Sequence, residues 1–250
     1  MPELVWQEFF VIAVALAAGG MVKGLTGLGL PMVAVPVLAG FLGVERAVMI
    51  MILPVLVLNI WLSWSLRDCR KDVPELRRVL LPSLPGILLG AGVLYFASER
   101  LLATGLAIWI LVYLIWRLFN PTMKFASGTR RRVAPAVGFG AGVMQAATGI
   151  SAPVLVPFVD GLNLSPRGYV FTVATVFSVL SGTHFIVMIL LQAYSLAQLT
   201  ESIVAVIPAI VFVPLGSKLR NVIEPEIFSR VIRLLMFIIA IRLIYGAWSS

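Results

Sequence analysis

Long apolar runs separated by short polar gaps occupy the chain almost from end to end. A helix needs about 20 apolar residues to cross the hydrocarbon core of a bilayer. Residues 45–66, 79–97, 101–119, 168–192, 202–219 and 229–248 approach or reach that length, and each is predicted to be a membrane-spanning helix. Two further regions carry a different pattern. In the first, apolar arms over 5–22 and 24–42 meet through KGLTGLGLP at 23–31; in the second, arms over 133–148 and 152–164 meet through QAATGISAP at 145–153. The last of these arms has roughly a dozen residues, below the length for crossing. The pattern therefore predicts two broken or re-entrant hairpins whose tips carry the two motifs. The N-terminal stretch MPELVWQEFFVIAVALAAGG places Glu3 and Glu8 where a signal peptide carries Lys or Arg, so it reads as a retained membrane segment.

Threonine, glycine and proline recur in the same order in both motifs, and a second pair of segments matches as well. Pro82 and Gly90 in PSLPGILLG correspond to Pro208 and Gly216 in PAIVFVPLG at one constant offset (208 − 82 = 126 and 216 − 90 = 126). Each half then holds one hairpin and three spans, an odd number of crossings, so the second half enters the membrane upside down. The expected fold is an all-α polytopic membrane protein of two inverted repeats, each a broken or re-entrant helical hairpin plus three transmembrane helices. Residues 1–122 form the first membrane repeat, 123–132 a basic cytoplasmic linker and 133–250 the second repeat. Inverted repeats of this kind build secondary transporters, whose substrate site lies near the midplane where broken helices meet.

Orientation follows from Lys and Arg in the short loops. The loops RDCRKDVPELRR (67–78) and NPTMKFASGTRRR (120–132) lie two spans apart and fall on one side, the cytoplasm, together with Arg167, Lys218, Arg220 and Arg230. Arg46 and Arg100 fall outside, and both termini face outward.

Composition agrees with the runs: 60% of residues are hydrophobic, 12% are charged and the mean hydropathy is +1.05. Soluble domains carry about a quarter charged residues. The formal charge of +8 does not point to nucleic acid, because the basic residues sit in gaps between apolar runs and not interleaved with aromatics on one face. The single cysteine, Cys69, allows no intramolecular disulfide. A phosphate-binding loop, an HExxH zinc motif and paired intramembrane aspartates are all missing from the sequence, so no cofactor is expected.

Proline removes a backbone donor and glycine weakens a helix, so their clustering in lipid requires partners for the freed amides. An interrupted helix offers exposed N–H groups and a positive dipole end to an anion, with the Thr26 and Thr148 hydroxyls as added donors. Close helix packing through glycine is the competing explanation, but it needs no prolines. Lys23 either gives a point charge to the anion or snorkels to the cytoplasmic surface. Gln145 stands at the matching place. His184, the only histidine, and Asp160, in PFVDGLN, are candidates for coupling transport to a proton or sodium ion, against structural roles as a buried hydrogen-bonded group and a helix cap. Arg233 and Arg242 lie on the last span. One arrangement has catalytic colour: Ser151 with His184 would make an intramembrane hydrolase dyad if the two side chains hydrogen-bonded. An anion channel is the other alternative.

The segments GGMVKGLTGLGLPMVAVPVL and GAGVMQAATGISAPVLVPFV, with the basic mid-chain loop, resemble the TauE/SafE (sulfite exporter, TSUP) family of membrane permeases over nearly the whole chain. The resemblance implies a multi-pass protein of the cell membrane, in bacteria the inner membrane, moving sulfur-containing anions such as sulfite and organosulfonates or related organic anions. It maps the family motifs onto Gly24, Thr26, Gly27, Gly29 and Pro31, and onto Thr148, Gly149, Ser151 and Pro153; Ser151 stands where the first copy has Gly29. The partners so implied are a small anionic substrate and the lipid bilayer.

Overall fold

The structure, a computed structural model, describes residues 2–73, 75–119, 127–219 and 225–249. Among these residues it holds ten α-helices and a short 3-10 turn (Arg67–Asp72), and no strand. The helices are α1 (Pro2–Thr26), α2 (Leu30–Leu42), α3 (Val44–Ser65), α4 (Leu76–Phe96) and α5 (Glu99–Phe119), then α6 (Ser127–Thr148), α7 (Ala152–Asp160), α8 (Pro166–Leu190), α9 (Leu196–Leu219) and α10 (Pro225–Ser249). Parts of the predicted cytoplasmic loops, 120–126 and 220–224 with Arg220, lie outside the described residues. Of the expected linker 123–132, residues 127–132 are already the first turns of α6.

Among the described residues six helices are long and apolar enough to cross a membrane, in α1, α3, α4, α5, α8 and α9. Their outer faces carry large exposed apolar groups, among them Leu88, Phe96, Ile108 and Ile207. With no water in the bilayer core, helices that satisfy their own backbone are the natural way across, and the chain is a multi-pass helical membrane protein. The two hairpins each pair a long helix with a short one. At 1.5 Å per residue α2 spans about 20 Å and α7 about 14 Å, well short of a hydrocarbon core of about 30 Å.

The chain divides into two compact units that do not follow its two sequence halves. The first comprises Met1–Pro54, Ala97–Ile115 and Tyr194–Ser250; the second comprises Val55–Phe96 and Trp116–Ala193. Each unit therefore takes helices from both halves. In the first, α1 packs along α9, and in the second, α6 packs along α4. Both seams are made by glycine. A Cβ on Gly24 would collide with the Val213 carbonyl and one on Gly216 with the Met21 carbonyl; in the second unit, Cβ atoms on Gly138, Gly142, Gly86 and Gly90 would strike the carbonyls of Val79, Ser83, Phe139 and Val143. Backbones this close gain dispersion contacts that lipid cannot match, which is how helices associate where the hydrophobic effect is weak.

α3 runs through the division between the units, which falls at Pro54. Proline has no N–H to give the carbonyl four residues earlier. That carbonyl, on Ile50, receives the Ser202 hydroxyl at 3.0 Å, while the Tyr194 hydroxyl donates to the Met49 carbonyl at 2.8 Å. Burial holds the Tyr194 phenol above its ordinary pKa, keeping it a donor.

Candidate functional site

In the first unit α1 ends at Thr26, and the last helical bond runs from the Gly27 N–H to the Lys23 carbonyl, 2.7 Å. Gly27 (φ +81°) and Gly29 (φ +99°) then take left-handed conformations that side chains resist. The Thr26 hydroxyl lies 2.9 Å from the Val22 carbonyl, to which it donates, and its oxygen accepts the Leu28 N–H at 3.2 Å. α2 begins at Leu30, with Pro31 in the first turn, where its missing N–H costs nothing and its fixed φ suits the helix.

The second unit repeats this scheme at an offset of 122 (145 − 23 = 122). The Gly149 N–H donates to the Gln145 carbonyl at 3.0 Å, Gly149 is left-handed at φ +71°, and the Thr148 hydroxyl donates to the Met144 carbonyl at 2.7 Å. The Ile150 N–H reaches the Thr148 oxygen at 3.2 Å, as Leu28 does with Thr26. α7 then starts at Ala152, with Pro153 in its first turn. Here the copies part. Ser151 has φ −102° and its hydroxyl donates to the Gln145 side-chain oxygen at 2.6 Å. Glycine at 29 and serine at 151 thus make different turns.

Both threonine hydroxyls are engaged by their own backbone in this structure. Each break opens a new helix N-terminus, at Leu30 in α2 and at Ala152 in α7, where the dipole favours negative charge and neither first turn carries an acidic residue. The breaks differ in access: Thr26 is exposed, with Gly27 and Leu28 half-buried, whereas Thr148, Gly149, Ile150 and Ser151 are all buried. No atom lies within 4 Å of where a Cβ on Gly27 would sit.

Lys23, in the last turn of α1, is 7% exposed, so it does not snorkel to an exposed surface. Gln145 is buried and held by Ser151. His184, fully buried on α8, has no hydrogen-bond partner for either ring nitrogen among the described residues. Ser151 and His184 are therefore not hydrogen-bonded, and the hydrolase dyad is not formed. Asp160 closes α7 and is exposed. Arg242 is also exposed, its guanidinium 4.4 Å from the centre of the Phe41 ring.

One constellation escapes sequence reasoning. The Arg46 guanidinium on α3 binds Glu8 of α1 at 2.7 Å and Glu201 of α9 at 2.6 Å, tying the ends of three helices of the first unit. Close by in sequence, a Glu99 side-chain oxygen accepts the Val44 N–H at 2.6 Å and caps α3. The only sequence signal was the placement of Glu8, Arg46 and Glu201 near the ends of apolar runs, which says nothing of which ends meet.

The family model described as sulfite exporter TauE/SafE matches residues 11–243, a stretch that includes both breaks, both glycine seams and the Arg46 cluster except Glu8. Neither a curated protein nor a solved structure matches the chain.

Proposed function

Since the chain belongs to the sulfite exporter TauE/SafE family of membrane transporters, we propose that it is a secondary carrier for small oxyanions, sulfur-containing ones such as sulfite or an organosulfonate foremost. Two inverted repeats each supply one half-site, built on the backbone N–H groups at a helix break, and transport proceeds by alternating access. The observation that carries this reading is the repeated break. Two short helices, α2 and α7, start within an apolar chain behind the same threonine, glycine and proline, with the same two hydrogen bonds closing the preceding helix. A packing device needs the glycines but not a fresh helix N-terminus. Lys23 adds a cation beside the first break and Gln145 a neutral group beside the second, so the two half-sites differ in charge.

The test is counterflow in proteoliposomes. Vesicles containing the purified chain and loaded with unlabelled sulfite should transiently accumulate labelled sulfite against its gradient, with an initial rate that saturates. Conductance far above carrier turnover, without counterflow, would make the protein a channel; no sulfite or sulfonate flux of either kind would remove the reading.

A further inference from the structure

Along α8 a polar residue falls at every third position from Thr172 to His184: Thr172, Thr175, Ser178, Ser181 and His184, in a helix otherwise rich in Val, Phe and Leu. Three residues turn a helix through about 300°, so each group stands about 60° round from the last and the row climbs obliquely. Two members satisfy themselves locally. Thr172 donates to the Gly168 carbonyl at 2.7 Å and Ser178 to the Ala174 carbonyl at 2.8 Å, the usual way for a hydroxyl to sit inside a span. The others do not. The Thr175 hydroxyl, the Ser181 hydroxyl and both His184 nitrogens have no partner among the described residues, and Ser181 and His184 are each 0% exposed. Buried polar groups carry their full desolvation cost when unpaired, so such groups mark a role beyond packing.

Their depth points to the role. Arg130, near the start of α6, donates to the Leu162 carbonyl in the segment leading into α8, so the two helices start at one end of the unit. From that end Thr148 stands about 27 Å along α6 and His184 about 27 Å along α8, at 1.5 Å per residue. α8 packs on both α6 and α7. By helix rise alone, His184 stands about as far along α8 as Thr148 does along α6, with Ser181 about 4.5 Å before it.

We infer that Ser181 and His184 form a ligand-binding pair on α8 that takes the transported oxyanion at the level of the second break, and that the ligand both accepts and donates hydrogen bonds. This rests on the transport reading above. The serine hydroxyl donates to the anion, and one nitrogen of a neutral imidazole accepts from the ligand. The complement is a small oxyanion carrying one O–H or N–H, such as a hydroxyalkanesulfonate. An alkanesulfonate of the same size leaves the accepting nitrogen unmet. Full burial suits a carrier, which closes its ligand off from both sides in turn.

The test compares two probes of nearly equal shape, 2-hydroxyethanesulfonate and propane-1-sulfonate, by calorimetry on the full chain in detergent, with melting temperature followed in parallel. Wild type should bind the hydroxysulfonate about two- to tenfold more tightly, the range of one hydrogen bond. Ser181→Ala should weaken that binding by a similar factor, and His184→Phe should weaken it and abolish the preference. Both should leave the ligand-free melting temperature unchanged or raised, because each removes an unpaired polar group. His184→Gln, which keeps a donor and an acceptor, should retain the preference and serves if the phenylalanine variant does not fold. A wild-type protein that shows sulfite counterflow but no preference between the probes, or variants that bind as wild type does, would overturn the pair while leaving the transport reading standing. Absence of counterflow for wild type would remove both.

Discussion

At Gly27 and at Gly149 the chain leaves a long helix by the same route: a glycine N–H closes the last turn, a threonine oxygen catches the next amide, and a proline opens the following helix. The first break has a second left-handed glycine and is open beside Gly27; the second replaces that glycine by Ser151, which bonds to Gln145 and lies buried. The same local chemistry therefore serves one turn with free space beside it and one closed by a side-chain bond. The helix behind each break is clamped the same way, α1 by α9 and α6 by α4, through glycines that admit no side chain. The difference teaches that the breaks are locally written, whereas their closure depends on what single side chains add.

The largest expected effects fall on what the units share. Gly24→Val and Gly142→Val should each cost about 3 kcal/mol or more by forcing a side chain into a facing backbone carbonyl. Loss of monodisperse protein on size exclusion is the readout, and a well-behaved Gly142→Val protein would show that the second seam is looser than its counterpart.

Next comes the cluster that only the first unit has, since the position matching Arg46 is Gly168 (46 + 122 = 168). Arg46→Met should destabilise by about 2 kcal/mol, below the range for a wholly buried pair because Arg46 is partly exposed. Adding Glu201→Gln should recover part of the loss, since it removes the carboxylate left without its cation. Full additivity in thermal melts would show that the two side chains do not couple.

An exchange at the one position where the motifs differ sharpens the comparison directly. Gly29→Ser puts a side chain at φ +99° against Val22 and should cost about 1–2 kcal/mol. Ser151→Gly loses only the bond to Gln145, about 1 kcal/mol. Equal losses in melting temperature would mean that the two turns are alike after all.

The smallest effects concern the threonines. Thr26→Val and Thr148→Val each remove a hydroxyl that bonds to the backbone, about 0.5–1.5 kcal/mol. If both breaks act on one bound anion, their effects on sulfite affinity will be non-additive in a double-mutant cycle. Simple additivity, with both proteins folded, would assign the two breaks to separate ligands.

Much of the architecture was legible in advance because it is written in local terms. The spans in α3, α4, α5, α8 and α9 follow from run length, and the breaks at 23–31 and 145–153 follow from Gly and Pro, whose backbone constraints act within a few residues. The repeat is likewise visible by eye, at an offset of 122 for the breaks and 126 for the Pro/Gly pair, as is the threonine at each break. The burial of Lys23, the use of both threonine hydroxyls by backbone and the unpaired Ser181 and His184 were not legible. In a span that is apolar all round, the sequence does not say which face meets a neighbour.

By itself, then, the sequence determined a multi-pass helical protein with two broken hairpins, because crossing length and helix interruption are properties of short segments. Only the tertiary structure decided that α9 lies on α1 and α4 on α6, so that each compact unit draws on both halves. It also decided that Glu8, Arg46 and Glu201 meet. Such choices depend on which glycine-lined faces fit backbone to backbone and which charges find each other across distant turns, and neither is encoded in the order of residues along any one helix.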